Sequence, residues 1–251
     1  MSRFRFQWES RSEIAGRPTN EDRVVASERL VAVADGVGGQ AAGEVASRLA
    51  ANALVRLLSS YVDEPLDGAL ADAIRDGNET IAFVARCRPH LSGMATTVSS
   101  AALSDEGEYV VANIGDSRTY LFRNGRLSRL TRDDTLVQHL LASGEISPSE
   151  ARAHPQRSVV LNALDGGPNR EPAISRVAAR EGDRLLVCSD GLTDFVDDGL
   201  IERTLAVRDR RSCSHRLVSE AIDAGGADNV SVVVADVESA SASDSGWRRK
   251  A

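Results

Sequence analysis

Along this chain the spacing of apolar positions alternates between two and about 3.6 residues, which marks a mixed α and β protein. Strand-length apolar runs cover residues 23–27, 30–34, 97–103, 109–114, 118–122, 184–188 and 230–237. Asn124-Gly125 suits a tight hairpin turn, since both residues tolerate positive φ. The runs mostly follow one another through short turns, so antiparallel pairing is expected rather than a doubly wound parallel sheet. Two long helices interrupt them. The first is predicted over 41–61, with Val45, Leu49, Ala53, Leu57 and Tyr61 as its apolar stripe. The second spans 66–87, with Leu70, Ile74, Ile81 and Val84 inward and Pro89 beyond its end. They are expected to form an antiparallel pair over one sheet face. A later helix is predicted over 214–224, stopped by Gly225-Gly226.

Residues 132–164 differ in texture. Short helical pieces at 135–143 and 148–153 are joined by Gly144, and Ser147-Pro148-Ser149-Glu150 reads as a capping box with Pro at the first helical position. This stretch is expected to be a surface flap inserted between strands. Residues 239–251 are rich in Ser, Ala and Asp and are expected to be a disordered tail. The first eleven residues alternate charged and aromatic side chains, without the apolar stretch of a signal peptide. The longest apolar runs are far short of a membrane span, so a soluble protein is expected. At 251 residues the chain has room for one large mixed domain.

Composition narrows the chemistry. With 30 basic and 37 acidic residues the formal charge is −7, and no basic block is present; neither nucleic acid nor an anionic membrane is an expected partner. Lysine occurs only at Lys250, which excludes P-loop nucleotide sites and protein-kinase sites, both of which need an interior lysine on phosphate. Cys87, Cys188 and Cys213 form no CxxC pair or disulfide framework, and a reducing cytoplasm is the natural setting.

The informative residues are acids at the ends of apolar strands. Residues 30–34 run into Asp35-Gly36, residues 184–188 into Ser189-Asp190-Gly191, and Val111-Ala112-Asn113-Ile114 into Gly115-Asp116-Ser117-Arg118; Asp228-Asn229 leads into the last strand. Singly, each Asp-Gly pair reads as a turn. Together, carboxylates converging without His or Cys favour a hard, oxygen-seeking cation, Mg²⁺ or Mn²⁺. Zinc would want imidazole or thiolate, and His90, His139, His154 and His215 lack ligand spacing. Upstream, Arg17-Pro18-Thr19-Asn20-Glu21-Asp22 is either a solvated charged turn or a phosphate grip, since Arg holds phosphate bidentately. An arginine beside hard metal ligands suggests phosphoryl chemistry.

The ordered set Arg17-x-x-x-Glu21-Asp22, Asp35-Gly36-x-Gly38-Gly39, Gly93-Met94-Ala95-Thr96-Thr97, Gly115-Asp116-Ser117-Arg118, Ser189-Asp190-Gly191 and Asp228-Asn229 resembles the metal-dependent (type 2C) Ser/Thr protein phosphatase family. His154-Pro155-Gln156-Arg157-Ser158 is similar to the flap of its bacterial members. The resemblance covers roughly residues 10–237. It implies an α+β fold: a four-layer α-β-β-α sandwich of two antiparallel sheets flanked by helix pairs, with a small inserted flap and metals in a cleft at one end. It implies a catalytic domain over 1–238. Asp35 would bridge two Mn²⁺ or Mg²⁺ ions, with the Gly36 carbonyl on one of them and Asp190 and Asp228 on the other. Glu21 and Asp22 would join the metal site through metal-bound waters, and Arg17 would bind the substrate phosphate. Asp116 with Asp190 would form a weaker third metal site. Arg17, Asp22 and Asp35 are thereby the expected catalytic residues.

The chain departs from the family pattern at Val37 and Gln40, where members carry His or Met and His, and at Ala95, where many have Gly. None is an expected ligand, but Val37 leaves open which group protonates the leaving alkoxide. A Cys phosphatase loop is excluded, because Gly93, Asp194 and Ser219 stand where C-x₅-R needs arginine, and no G-x-S-x-G elbow occurs. The expected activity is hydrolysis of phosphoserine and phosphothreonine in proteins, opposing a bacterial Ser/Thr kinase, by a cytoplasmic monomer. The alternatives are an inactive regulatory or binding protein on the same fold and a hydrolase of small phosphate esters.

Overall fold

In the computed structural model, which describes residues 3–37, 42–60 and 65–240, β3 (Leu30–Ala34) is apolar throughout because both its faces are covered. Side chains alternate across a strand. Val31 and Val33 point into a core between two sheets, whereas Leu30, Ala32 and Ala34 point at helices. The same division explains β11 (Arg184–Cys188) and β12 (Val230–Ser239). Leu185, Val187, Val233 and Ala235 fill the inter-sheet core, while Leu186, Cys188, Val232 and Val234 meet helices on the other side.

One sheet runs β1 (Phe4–Glu13), β12, β11, β8 (Arg118–Arg123), β9 (Arg126–Arg129). The other runs β10 (Ala173–Ala178), β7 (Glu108–Ile114), β6 (Val98–Leu103), β3, β2 (Arg23–Ala26). A short ribbon pairs β4 (Gly36–Val37) with β5 (Ala95–Thr96). Every pairing of these strands is antiparallel. Helices α1 (Ala42–Ser60) and α2 (Leu66–Cys87) cover the second sheet; α5 (Asp190–Thr193), α6 (Asp198–Leu205) and α7 (Arg210–Asp223) cover the first. The result is the four-layer sandwich expected. Asn124-Gly125 turns β8 into β9 with φ of +54° and +76°. Segment 132–164 carries α3 (Leu136–Ser143) and α4 (Pro148–Ala153), the latter with the anticipated capping box on Ser147 and Glu150.

Five strands went unread in the sequence, two of them the two-residue β4 and β5. β1 reads as alternating charge and aromatic, but its phenylalanines are the buried half of a strand whose partner lies at the other end of the chain, Phe6 opposite Val237. β9 and β10 are short edge strands with mostly exposed positions, so they carry little apolar signal. The stripe expected on α1 is also displaced. Ala53 and Leu57 are buried as expected, but Ala46, Ala50 and Leu54 complete the buried line while Val45 and Leu49 flank it, because small residues let α2 approach closely at Gly77. α7 begins earlier than expected because the Asp209 carboxylate caps it, accepting from Ser212 N at 2.7 Å. Gly38, Gly39, Gln40, Ala41, Tyr61 and the tail residues 241–251 lie outside the described residues.

Cys87 is exposed and Cys188 and Cys213 are buried, and all three are free thiols. No helix among the described residues is long and apolar enough to cross a membrane.

Candidate active site

Strand register gathers the acids. Arg23 pairs with Ala34, which sets Asp22 beside Asp35. Val98 pairs with Ile114, so the Gly115-Asp116 turn follows at the same end of that sheet. Across the sandwich, Cys188 pairs with both Arg118 and Val232, bringing Asp190 next to Asp116 and to the loop holding Asp228. Two sheets therefore deliver five carboxyls from distant parts of the chain to one end of the molecule.

Their main chain is pinned. The Asp35 carbonyl accepts from Thr97 N at 2.9 Å and from Thr96 Oγ1 at 2.7 Å, and Asp35 N donates to Thr97 Oγ1 at 3.3 Å. These bonds give the Gly93–Thr97 motif its part: its hydroxyls hold Asp35. Gly36 packs against Gly43 of α1, and a Cβ there would stand 2.6 Å from the Glu21 carbonyl oxygen. Asn229 ties the N-terminal loop to the last strand. Its Oδ1 accepts from Glu21 N at 2.9 Å, and its Nδ2 donates to the Thr19 carbonyl at 3.0 Å. Asn20 accepts from Asp22 N at 3.0 Å. Ser189 Oγ donates to Asp22 Oδ2 at 3.0 Å and accepts from Ser231 N at 3.0 Å. Asn20, Ser189 and Asn229 were legible only as neighbours of acids, and Ser231 only as part of an apolar run; their pinning roles depend on register.

The electrostatics are those of crowded, desolvated acids. Burial pushes the Asp22 carboxyl up to about 6, against the opposing pull of the Ser231 and Ser189 hydroxyls. Burial, then the charges of Asp22, Asp190 and Asp116, holds Asp35 well above the usual carboxylate range. Asp190 is raised likewise by burial and by Asp116 and Asp194. Asp116 is pushed up to about 7 by burial and by Asp133. Arg118, two residues on from Asp116, places its fork on Asp133, with Nε–Oδ1 at 3.0 Å and Nη2–Oδ2 at 2.7 Å. Arg17 is half exposed and donates to Asp228 Oδ2 at 2.6 Å. Asp194, which the sequence reading passed over, adds its charge to Asp190 and Asp116, and is itself raised by burial.

Such a cluster stays ionised only beside a cation. Among the described residues, no three His, Cys, Asp or Glu side chains close on one point as a finished metal cage. The fold offers instead a row of all-oxygen donors, and Asp22 Oδ1 is buried without a hydrogen bond. That donor set fits a hard cation that keeps part of its water, Mg²⁺ or Mn²⁺. Val37 is 41% exposed and brings no proton donor to the site.

A family model described as Protein phosphatase 2C matches residues 12–221. The serine/threonine protein phosphatase PstP of Mycobacterium tuberculosis is 47% identical over 221 residues, covering 88% of this chain and 43% of PstP. The chain thus spans less than half the length of that relative. Serine/threonine phosphatase stp of Listeria welshimeri is 37% identical over 221 residues, covering 84% of this chain and 85% of stp. The catalytic domain of PstP, crystallised in complex with two manganese ions, has a TM-score of 0.86 and 42% identity, covering 93% of this chain and 99% of that one.

Proposed function

The chain belongs to the protein phosphatase 2C family, and from that premise we propose that it is a metal-dependent phosphatase of phosphoserine and phosphothreonine in proteins. One observation carries the reading: Asp22, Asp35, Asp116, Asp190 and Asp228 line one end of the sandwich beside a half-exposed arginine, Arg17. The two manganese ions of the PstP catalytic domain support two tightly held ions here.

Asp35, Asp190 and Asp228 with the Gly36 carbonyl would hold Mn²⁺ or Mg²⁺, and Asp116 with Asp190 would hold a weaker third ion. When bound, the ions supply a water of lowered pKa and polarise the phosphoryl oxygens. Glu21 and Asp22 orient that water by accepting its hydrogen bonds, with Asp22 fixed by Ser189. Arg17 swings onto the phosphoryl oxygens, where its planar fork neutralises charge and sets the phosphorus in line. The leaving serine or threonine alkoxide needs a proton, Val37 offers none, and we assign that transfer to Asp116, directly or with the weaker ion it would share with Asp190.

Residues 1–238 are read as the catalytic domain and 132–164 as its flap. The substrates are phosphorylated proteins set against a Ser/Thr kinase, and the working form is a cytoplasmic monomer. The test is hydrolysis of a phosphothreonine peptide and of p-nitrophenyl phosphate. EDTA should abolish both activities and Mn²⁺ or Mg²⁺ restore them. Asp35→Asn, Asp190→Asn and Asp228→Asn should each lower kcat by orders of magnitude. Full activity in any of these variants with unchanged metal content overturns the assignment, and hydrolysis of the small ester alone overturns the protein-directed part.

A further inference from the structure

Asp134 stands where segment 132–164 leaves the first sheet, and it closes both main-chain groups of Gly115. Its amide donates to the Gly115 carbonyl at 2.9 Å, and its Oδ2 accepts from Gly115 N at 3.1 Å. Gly115, with φ of +101°, is the residue before Asp116, so these two bonds set the angle at which the Asp116 turn leaves β7. The other side of Asp134 holds the returning arm of the excursion. Its carbonyl accepts from Leu161 N at 2.7 Å, and the same Oδ2 accepts from Asn162 Nδ2 at 3.4 Å. Just beyond, the outgoing and returning arms are zipped by the Thr135–Val160 bridge and by Leu136 N donating to the Val159 carbonyl at 2.9 Å. The returning arm then reaches the Asp35 side of the site, where Leu164 and Thr96 exchange main-chain bonds of 2.9 and 3.0 Å.

One side chain thus joins the base of a surface excursion to the turn that carries an acid of the site. That excursion also has the surface for a macromolecular substrate. Val159 and Leu161 project from the returning arm at 38% and 50% exposure, on either side of the residue that bridges to Thr135. A small ester reaching the acids need not touch them, but a phosphopeptide has flanking residues that can.

We propose that Asp134 is a positioning residue that couples contacts made by a phosphoprotein on the 159–162 arm to the placement of the Asp116 carboxyl. The functional consequence rests on the phosphatase reading above; the mechanical coupling does not. A static link of this kind is only spatial adjacency until a perturbation on one side is read on the other.

The test therefore reads both. In Asp134→Ala, amide hydrogen exchange should quicken together in the peptides holding Gly115 and Leu161, while β12 and α2 keep their protection. In Asp134→Asn the amide oxygen can accept the same bonds, and protection should stay near that of the parent. On phosphopeptide, kcat/KM of Asp134→Ala should fall by about fivefold or more, the scale on which coupled sites act, with little change on p-nitrophenyl phosphate. If Asp134→Ala does not fold, Leu161→Pro removes the 2.7 Å bond from the arm alone, and faster exchange at Gly115 is again expected. Faster exchange at 159–162 with Gly115 unchanged, in either variant, overturns the coupling. So does a parent active on phosphopeptide whose Asp134→Ala variant matches it on both substrates. A parent inactive on both substrates overturns the phosphatase reading and leaves the exchange result to decide the coupling.

Discussion

Arg17 Nη2 donates to Asp228 Oδ2 at 2.6 Å, joining residues 211 positions apart. The other Asp228 oxygen accepts from Asn229 N at 2.8 Å. The guanidinium proposed to grip phosphate therefore rests on a carboxylate proposed to hold a cation, and the two partners compete for it. An exposed pair of this kind is worth about 0.2–1 kcal/mol. Arg17→Ala should accordingly tighten Mn²⁺ binding up to about fivefold, the same free energy read as an affinity. Its KM for phosphopeptide should rise with a smaller change in kcat, and Arg17→Lys should rescue only part, because the planar fork is lost. Calorimetric titration of Mn²⁺ checks the first effect; binding that weakens on removal of Arg17 contradicts the competition.

The crowded acids make a pH prediction whose sign is opposite to the usual one for carboxylates. Asp22 and Asp116 are pushed up to about 6 and about 7, and Asp35 and Asp190 are also raised. The folded chain therefore binds more protons than the unfolded chain between about pH 4 and pH 7, and stability falls as pH rises through that window. Asp67 and Asp165, held low by Arg176 and Arg170, contribute stability that is lost only as pH falls further. Without divalent cation the melting temperature should drop from about pH 5 to pH 8, by about 2–4 °C for each kcal/mol lost in a chain of this size. Saturating Mn²⁺ should flatten or reverse that slope, since the cation takes the place of the protons. A metal-free melting temperature that climbs over this range would mean the acids are not crowded in solution.

How much of this could be read beforehand depended on whether a residue's role is local. Asp35 and Asp190 were legible because each ends an apolar run with Gly after it, and a run buried on both faces is its own signal. Asp116 and Asp228 also stand at strand ends, one after Ile114-Gly115 and the other just before the run that starts at Val230. The roles of Ser189, Ser231 and Asn229 were not legible, because each bonds to a group some 40 to 210 positions away that only the pairing of β12 with β11 and β1 and the stacking of the two sheets bring near. β1 was hidden for the same reason: Phe4 and Phe6 become core residues only once β12 lies beside them. Asp134 lay in a charged run, Arg132-Asp133-Asp134, where a solvated surface is the simplest reading, and only its four bonds to Gly115, Leu161 and Asn162 set it apart.

Gly191 supplies a prediction about how the site is built. It is the second residue of α5, directly after Asp190, and a Cβ on it would drive into the main-chain carbonyl oxygen of Asn229. Backbone cannot yield as a side chain can, so Gly191→Ala must push away the 228–229 loop. Overpacking of this kind costs about 1–3 kcal/mol or more. Because Asn229 also holds Glu21 N and the Thr19 carbonyl, the displacement should reach the acids, and Mn²⁺ affinity should fall along with the melting temperature. Asn229→Ala should lose affinity in the same direction with a smaller loss of stability. A Gly191→Ala protein that melts and binds Mn²⁺ like its parent would show that the close approach is not required.

The choice of substrate reads the role of Asp116. Its carboxyl is 8% exposed and pushed up to about 7, and its near neighbours Asp133 and Asp194 add negative charge that the Arg118 fork, bound to Asp133, only partly offsets. A carboxyl so placed suits a group that handles a proton near neutral pH. If Asp116 serves the leaving group, directly or through a weak third ion shared with Asp190, its loss matters in proportion to how much that group needs a proton. A serine or threonine alkoxide needs one, and p-nitrophenolate barely does. Asp116→Asn should therefore lower kcat on phosphopeptide by about 10²-fold or more, the usual span of general acid catalysis, and lower it far less on p-nitrophenyl phosphate. Calorimetry should still find the two tight Mn²⁺ sites and should lose a weaker binding step if the third ion exists. Equal losses on both substrates, or loss of the tight sites in the variant, would assign Asp116 to holding the main ions and leave the proton to solvent.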